Sequence, residues 1–105
     1  GVIAAAGSAP AYFFLFMQAI AEEAEAMGFT PEQARLLVQQ TALGAAAMVE
    51  QNPELSLQTL REQVTSKGGT TAEAVKTFQE QGLMPLTARA MQAAVTRAGE
   101  METLF

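Results

Sequence analysis

A short loop rich in glycine and threonine, residues 64–71, divides a sequence that is otherwise patterned for helices. The adjacent Gly68 and Gly69 allow backbone conformations that side chains disfavour. Either Thr70 or Thr71 could cap a helix that starts near Thr71. The first N–H groups of a helix lack partners within it and lie at the positive end of its dipole, so they suit a carboxylate or phosphate. Taken alone, the same residues also fit a plain linker with an ordinary N-cap.

Apolar residues recur at helical spacing on both sides of this loop, and no segment alternates like a β-strand. The sequence therefore predicts a single all-α domain. The expected helices run from about Pro10, capped by Ser8 or Ala9, to a stop at Gly28; from a capping box at Thr30–Gln33 to about Gln51; from Ser56 to the loop; from Thr71 to Gln81; and from about Pro85 towards Leu104.

The first helix needs cover from outside a small domain, because residues 11–17 are apolar on every side. We expect a second copy or a second domain to supply it. In the second helix, one apolar stripe includes Leu37, Val38 and Met48, and a second includes Leu36 and Leu43. The small residues 44–47 allow another helix to approach closely. That approach could occur within one bundle or across a subunit interface, and periodicity does not distinguish the two.

A membrane-spanning first helix is disfavoured by the sequence. The uncharged residues 2–20 are interrupted by Gly7, Ser8 and Pro10, and the first basic residue is Arg35. No positively charged flank therefore orients a span. We expect no membrane association.

Composition excludes several kinds of chemistry. With six Lys and Arg against eleven Asp and Glu, the net charge is −5, which lacks the basic surface of a nucleic-acid-binding protein. The chain has no cysteine and no histidine, so the commonest metal ligand and the usual neutral-pH base are missing. We expect no metal site, and the loop is the only candidate functional site.

Several segments resemble motifs of one enzyme family, and they occur in that family's order. They are the loop Val64-Thr65-Ser66-Lys67-Gly68-Gly69-Thr70-Thr71, the stretch Gly7-Ser8-Ala9-Pro10-Ala11-Tyr12 followed by Phe13 to Phe16, the helical stretch Gln40-Thr41-Ala42-Leu43-Gly44-Ala45-Ala46, and the turn Gln81-Gly82-Leu83. In these segments the chain resembles the pyrroline-5-carboxylate reductases, which make proline. It departs from the family's usual pattern at Lys67, where proline is usual, and at Ala9, where glycine is commoner.

The resemblance implies a fold, an activity and a site. Residues 1–105 would be a C-terminal helical bundle that interlocks with a second copy, as in reductases similar to 6-phosphogluconate dehydrogenase. The parent enzyme would reduce pyrroline-5-carboxylate to proline with NADPH or NADH. Thr71 would be the catalytic residue, near the ring nitrogen. The residues implied to bind the substrate are Val64, Ser66, Gly68, Gly69, Thr70 and Thr71.

The nucleotide-binding half of such an enzyme has no counterpart in this sequence, because its glycines never form G-x-G-x-x-G. The resemblance places that function in a Rossmann domain absent from this chain. The start at Gly1, without methionine, suits a fragment. We therefore expect the chain to be inactive alone, with no tightly bound cofactor. The resemblance also implies a cytoplasmic homodimer and leaves larger assemblies open.

Two other interpretations remain open at this point. The chain could be a stand-alone helical self-association module without a ligand, or the helical domain of another two-domain dehydrogenase, such as a hydroxyacid or 6-phosphogluconate type. Those dehydrogenases generally use a lysine within a helix as an acid–base group. Lys76 is the only lysine so placed here, and no matching motif surrounds it. Lys67 is either solvated or adds positive charge near an anionic substrate.

Overall fold

The computed structural model describes residues 2–104 and is helical through most of that range, with no strand in it. The all-α class predicted from periodicity is confirmed. The helices are α1 (Val2–Ala26), α2 (Pro31–Gln51), α3 (Leu57–Gln63), α4 (Thr70–Glu80) and α5 (Leu83–Leu104).

Helix α1 starts earlier than predicted. Pro10 lies inside the helix, so a start near Pro10 with a cap at Ser8 or Ala9 is wrong. The preceding alanines, residues 4–6, belong to the residue type with the highest helix propensity. Proline removes only its own N–H, the one that the Ala6 carbonyl would otherwise accept, and its ring crowds that carbonyl. The helix continues through Pro10 despite that loss.

Glycine ends α1 as predicted. Gly28 has φ +111°, a left-handed conformation that favours glycine. Its N–H donates to the Glu25 carbonyl at 3.0 Å, and the Phe29 N–H donates to the Ala24 carbonyl at 3.0 Å. This pair of bonds is a Schellman motif, and it satisfies carbonyls that the end of a helix leaves free.

The predicted capping box at the start of α2 is confirmed. The Gln33 N–H donates to the Thr30 hydroxyl at 3.1 Å, and the Thr30 N–H donates to the Gln33 side-chain oxygen at 2.9 Å. Pro31 occupies the first turn, where its missing N–H costs nothing. At the other end of α2, Asn52 is the C-cap, and its side chain donates to the Met48 carbonyl at 2.8 Å.

The caps of α3 and α5 also follow from local sequence. Ser56 caps α3 by accepting the Thr59 N–H at 3.0 Å. Gly82, at φ +90°, ends α4, and its carbonyl accepts the Leu86 N–H at 2.9 Å. Helix α5 therefore begins two residues before the predicted Pro85, which lies in its first turn.

The chain folds as two compact units, and their boundary falls within α1. One unit is Phe14–Lys67, where α2 packs with α3. The other unit combines residues 2–13 with residues 68–104, and α4 packs there with α5. The loop of residues 64–71 spans the second boundary, between Lys67 and Gly68.

Few side chains are buried within the chain itself. Among residues 3–103 the buried ones are Ala24, Ala34, Val38 and Leu60, all in the Phe14–Lys67 unit. The accessible surface is 8447 Å² for a mass of 11.1 kDa, whereas a folded monomer of that mass averages about 5,700 Å². The chain thus exposes about half as much surface again as a self-contained domain of its mass.

Most of the apolar stripes predicted from periodicity remain exposed. In α2, Val38 is buried, but Leu37 and Met48 from the same stripe are exposed, and so are Leu36 and Leu43 from the second stripe. Periodicity identified the apolar faces, but no other segment of the described chain covers them.

Helix α1 is the most apolar exposed element. Its residues Ile3–Ala26 are long and apolar enough to cross a membrane, judged by length and composition alone, and none of the most apolar window is buried within the chain. Phe13 and Phe14 are each 69% exposed, and Leu15 is 68% exposed. A helix of this kind needs either lipid or another protein surface around it.

Candidate functional site

The candidate loop begins with a threonine bonded back to the preceding helix. The Thr65 hydroxyl donates to the Arg61 carbonyl at 2.6 Å, and the Thr65 N–H donates to the Glu62 carbonyl at 3.2 Å. The Val64 N–H donates to the Arg61 carbonyl at 3.2 Å. These bonds use the last carbonyls of α3 and fix where the loop leaves the helix. Thr65 was not among the predicted site residues. The only sequence feature that could have indicated its role is its position as a threonine just after a helix.

The two glycines have different backbone roles. Gly68 has φ +75°, a conformation in which a β-carbon is strained, and a β-carbon placed there would meet no atom within 4 Å. Glycine is therefore favoured at this position by backbone conformation rather than by space. Gly69 is extended, with φ −88° and ψ −177°, a conformation open to any residue.

Gly69 is also the N-cap of α4, and no side chain caps this helix. The prediction that Thr70 or Thr71 serves as the cap is therefore wrong. The helix begins at Thr70, one residue earlier than predicted, so the two threonines occupy its first turn. From there neither hydroxyl reaches back to the amides that an N-cap side chain would satisfy.

The amides at this helix start are free for a ligand. Among the described residues, the N–H groups of Gly69, Thr70 and Thr71 have no hydrogen-bond acceptor, whereas the Gly69 carbonyl accepts the Glu73 N–H at 3.2 Å. The Thr70 and Thr71 side chains are exposed. Three free donors at the positive end of an 11-residue helix can hold one anion, most favourably a carboxylate or phosphate.

The predicted substrate-binding residues belong to both compact units: Val64 and Ser66 to Phe14–Lys67, and Gly68 to Thr71 to the other. Val64 is 62% exposed, and Ser66, Lys67 and Gly68 are also exposed, so a small molecule can approach the loop. No cluster of metal-ligating side chains occurs in the searched part of the chain. The groups that the loop can offer a ligand are backbone amides, hydroxyl groups and the Lys67 ammonium.

Two apolar grooves lie away from the loop, within the Phe14–Lys67 unit. One lies between α1 and α2 and is lined by Phe14, Met17, Leu36 and Val38, together with polar residues along its edges. The other surrounds the turn at Gly28. Both are open surfaces lined mostly by apolar atoms, which suits contact with another chain better than catalysis.

Lys76 does not occupy the position expected of a catalytic lysine. Its ammonium nitrogen lies 4.0 Å from the Glu80 carboxylate, and both side chains are more than half exposed. An exposed pair one turn apart on a helix surface contributes little to stability and stays solvated.

These features define an all-helical association domain: a free helix start at a glycine loop, carried on helices whose apolar faces the chain does not cover. The family model described as pyrroline-5-carboxylate reductase dimerisation matches residues 1–101. The chain belongs to this family, as the motifs of the loop and of α1 indicated.

Individual relatives agree over nearly the whole chain. It is 71% identical over 104 residues to pyrroline-5-carboxylate reductase of Vibrio alginolyticus and 54% identical to that of Pasteurella multocida. Each match covers 99% of this chain but 38% of the relative. The chain thus spans well under half the length of these relatives.

Solved structures extend the similarity to three dimensions. A pyrroline-5-carboxylate reductase from Coxiella burnetii is 48% identical and superposes with a TM-score of 0.89, covering 94% of this chain and 36% of that one. The pyrroline carboxylate reductase of Plasmodium falciparum, solved with NADP bound, is 28% identical with a TM-score of 0.88. It covers 93% of this chain and 37% of that one.

Proposed function

We propose that the protein containing this chain reduces 1-pyrroline-5-carboxylate to L-proline with NADPH or NADH, the last step of proline biosynthesis. This segment supplies dimerisation and the loop that holds the substrate carboxylate. The observation that carries the proposal is the free helix start at Gly69–Thr71, in a chain whose family is named for a carboxylate substrate.

The loop binds the substrate through charge-assisted hydrogen bonds. The N–H groups of Gly69, Thr70 and Thr71 donate to the carboxylate oxygens, and such bonds are about twice as strong as neutral ones. The family resemblance also assigns Val64, Ser66 and Gly68 to substrate binding. The positive end of α4 adds to the attraction.

In this proposal Thr71 is the catalytic residue and acts on the ring nitrogen. With the carboxylate held by the amides, the Thr71 hydroxyl oxygen accepts a hydrogen bond from the protonated ring nitrogen and orients the C=N bond. Reduced nicotinamide supplies the hydride when bound, so the protein contributes position and electrostatics. A protonated imine brings its proton from solution, so the reaction needs no catalytic acid from the protein. This agrees with a chain that lacks histidine and cysteine.

The nicotinamide nucleotide is held mainly by another domain of the protein. This chain has no G-x-G-x-x-G turn after a strand, the sequence that holds a dinucleotide pyrophosphate in a Rossmann domain. The Plasmodium falciparum relative, of which this chain covers 37%, was solved with NADP bound. The isolated segment is therefore inactive.

A second copy of the chain covers the exposed apolar helices. The surface beyond that of an average monomer is about 2,700 Å² per chain, which exceeds the roughly 800 Å² that each partner buries in a standard interface. A partner of that size is large enough to cover α1, so the helix does not need a lipid bilayer. In this proposal the protein is cytoplasmic. Fractionation of cells tests this directly, because recovery of the protein with membranes would contradict it.

Purified full-length protein tests the activity. We expect oxidation of NADPH or NADH to depend on added pyrroline-5-carboxylate, with L-proline as product, while the 105-residue chain alone gives none. Absence of turnover by the full-length protein with either nucleotide would contradict the activity. Turnover by the short chain alone would contradict the proposal that another domain binds the nucleotide.

A further inference from the structure

Lys67 is a basic residue in the loop without a countercharge. Its side chain is exposed, and the ion pairs of the described residues join Lys76 to Glu80 and Arg97 to Glu100. No hydrogen bond of the Lys67 side chain to a described residue occurs either. Its charge is therefore available to whatever approaches the loop.

The charge matters because the surroundings of the loop are otherwise negative. Over residues 61–73, Arg61 and Lys67 balance Glu62 and Glu73, whereas the whole chain carries −5. Without Lys67 the same stretch would carry one net negative charge. An anionic substrate would then approach a negative loop on a negative protein.

We propose that Lys67 determines substrate affinity by attracting the carboxylate to the loop before the amides of α4 bind it. The inference rests on the proposed function, because it requires an anionic substrate at this loop. The Lys67 and Gly69 α-carbons are at most about 7.6 Å apart, since two peptide units separate them. An exposed lysine charge that comes within about 8 Å of a bound carboxylate, with water between them, would change affinity by about two- to five-fold.

Lys67 stands where proline is usual in the resembling family, so that family's loop is ordinarily stiffened rather than charged at this position. Proline fixes φ and lowers the entropy of the free loop. Lysine does neither, but it supplies an attraction that depends on salt. Electrostatic capture therefore distinguishes this loop from its proline counterpart.

The experiment compares Lys67→Met, Lys67→Arg and Lys76→Met in the full-length protein at low and at high ionic strength. We expect Lys67→Met to raise the KM for pyrroline-5-carboxylate about two- to five-fold at low salt with kcat unchanged. At 1 M salt, where the Debye length is about 3 Å, the difference should vanish. Lys67→Arg should restore the wild-type KM. Lys76→Met removes the same charge from a residue already paired with Glu80, and its KM should stay at the wild-type value.

Each outcome separates the inference from the proposed function. An active wild type whose KM is unaffected by Lys67→Met overturns the role of Lys67 and leaves the reductase function standing. A rise in KM that persists at high salt, or that Lys67→Arg also shows, overturns the electrostatic role in favour of a structural one. Wild-type protein without pyrroline-5-carboxylate reduction overturns both.

Discussion

The Thr65 hydroxyl donates a 2.6 Å hydrogen bond to the Arg61 carbonyl, which ties the candidate loop to the end of α3. The bond is partly buried, and it uses a carbonyl that the end of a short helix leaves without an intrahelical partner. The loop's free amides follow a few residues later along the chain. The sequence did not single out Thr65. A threonine that bonds back to residue i−4 is common on helices and does not by itself indicate a functional site.

Replacing Thr65 with valine should loosen the loop. The variant removes the donor and leaves a partly buried carbonyl with one bond fewer, which costs about 1 kcal/mol. We expect a lower midpoint of urea unfolding and a higher KM for pyrroline-5-carboxylate. Thr77→Val is the matched control, because its hydroxyl bonds to the Glu73 carbonyl at 3.0 Å on an exposed part of α4. Equal effects of the two substitutions on KM would contradict an anchoring role for Thr65.

Giving α4 the side-chain cap that it lacks should stabilise the helix and weaken substrate binding. Serine is a preferred N-cap residue, and in Gly69→Ser its hydroxyl would accept the N–H of Thr71 or of the following residue, Ala72. That acceptor would compete with the substrate carboxylate. We expect slower hydrogen exchange of these amides together with a KM raised several-fold. A KM at the wild-type value, with the exchange slowed, would show that the substrate does not use these amides.

The Thr71 hydroxyl is expected to contribute to the chemical step. Thr71→Val keeps the shape and the backbone N–H but removes the bond to the ring nitrogen, a loss of about 1–3 kcal/mol. The corresponding fall in kcat/KM is roughly 5- to 150-fold. Thr70→Val is the control, because only the backbone N–H of Thr70 is assigned to the substrate. Steady-state kinetics in which both variants lose activity equally would remove the distinction between the two hydroxyls.

The exposed apolar surface of α1 should control assembly. Leu15 is 68% exposed, and in the proposed dimer a glutamate there would be desolvated among apolar side chains. We expect Leu15→Glu to weaken the dimer at least 100-fold, measured by sedimentation over a dilution series of the full-length protein. Gln79→Glu adds the same charge to an exposed position of α4 and should leave the mass unchanged. A Leu15→Glu protein that stays dimeric at every dilution would contradict a second copy as the cover of α1.

Local chemistry explains which parts of the fold could be predicted from the sequence. The capping box at Thr30 and the glycine stop at Gly28 were predicted, because each depends on residues within one turn. The start of α1 was not, because Pro10 usually marks a first turn and here lies inside a helix. The helix continues through Pro10, and the alanines before it favour the helical conformation.

Burial could not be predicted for a different reason. The spacing of Leu36 and Leu43 shows that they belong to apolar faces, yet both are exposed in this chain. Whether such a face is covered depends on a surface outside the sequence. For the site, the composition of the loop indicated an anion, whereas the absence of a side-chain cap at Gly69 became clear only from the structure.

The most direct test of the account is a crystal structure of the full-length protein with L-proline bound. We predict that the proline carboxylate oxygens lie about 2.7–3.2 Å from the amide nitrogens of Gly69, Thr70 and Thr71, with a second copy packed over α1. A carboxylate bound elsewhere, with those amides facing bulk solvent, would contradict the central claim.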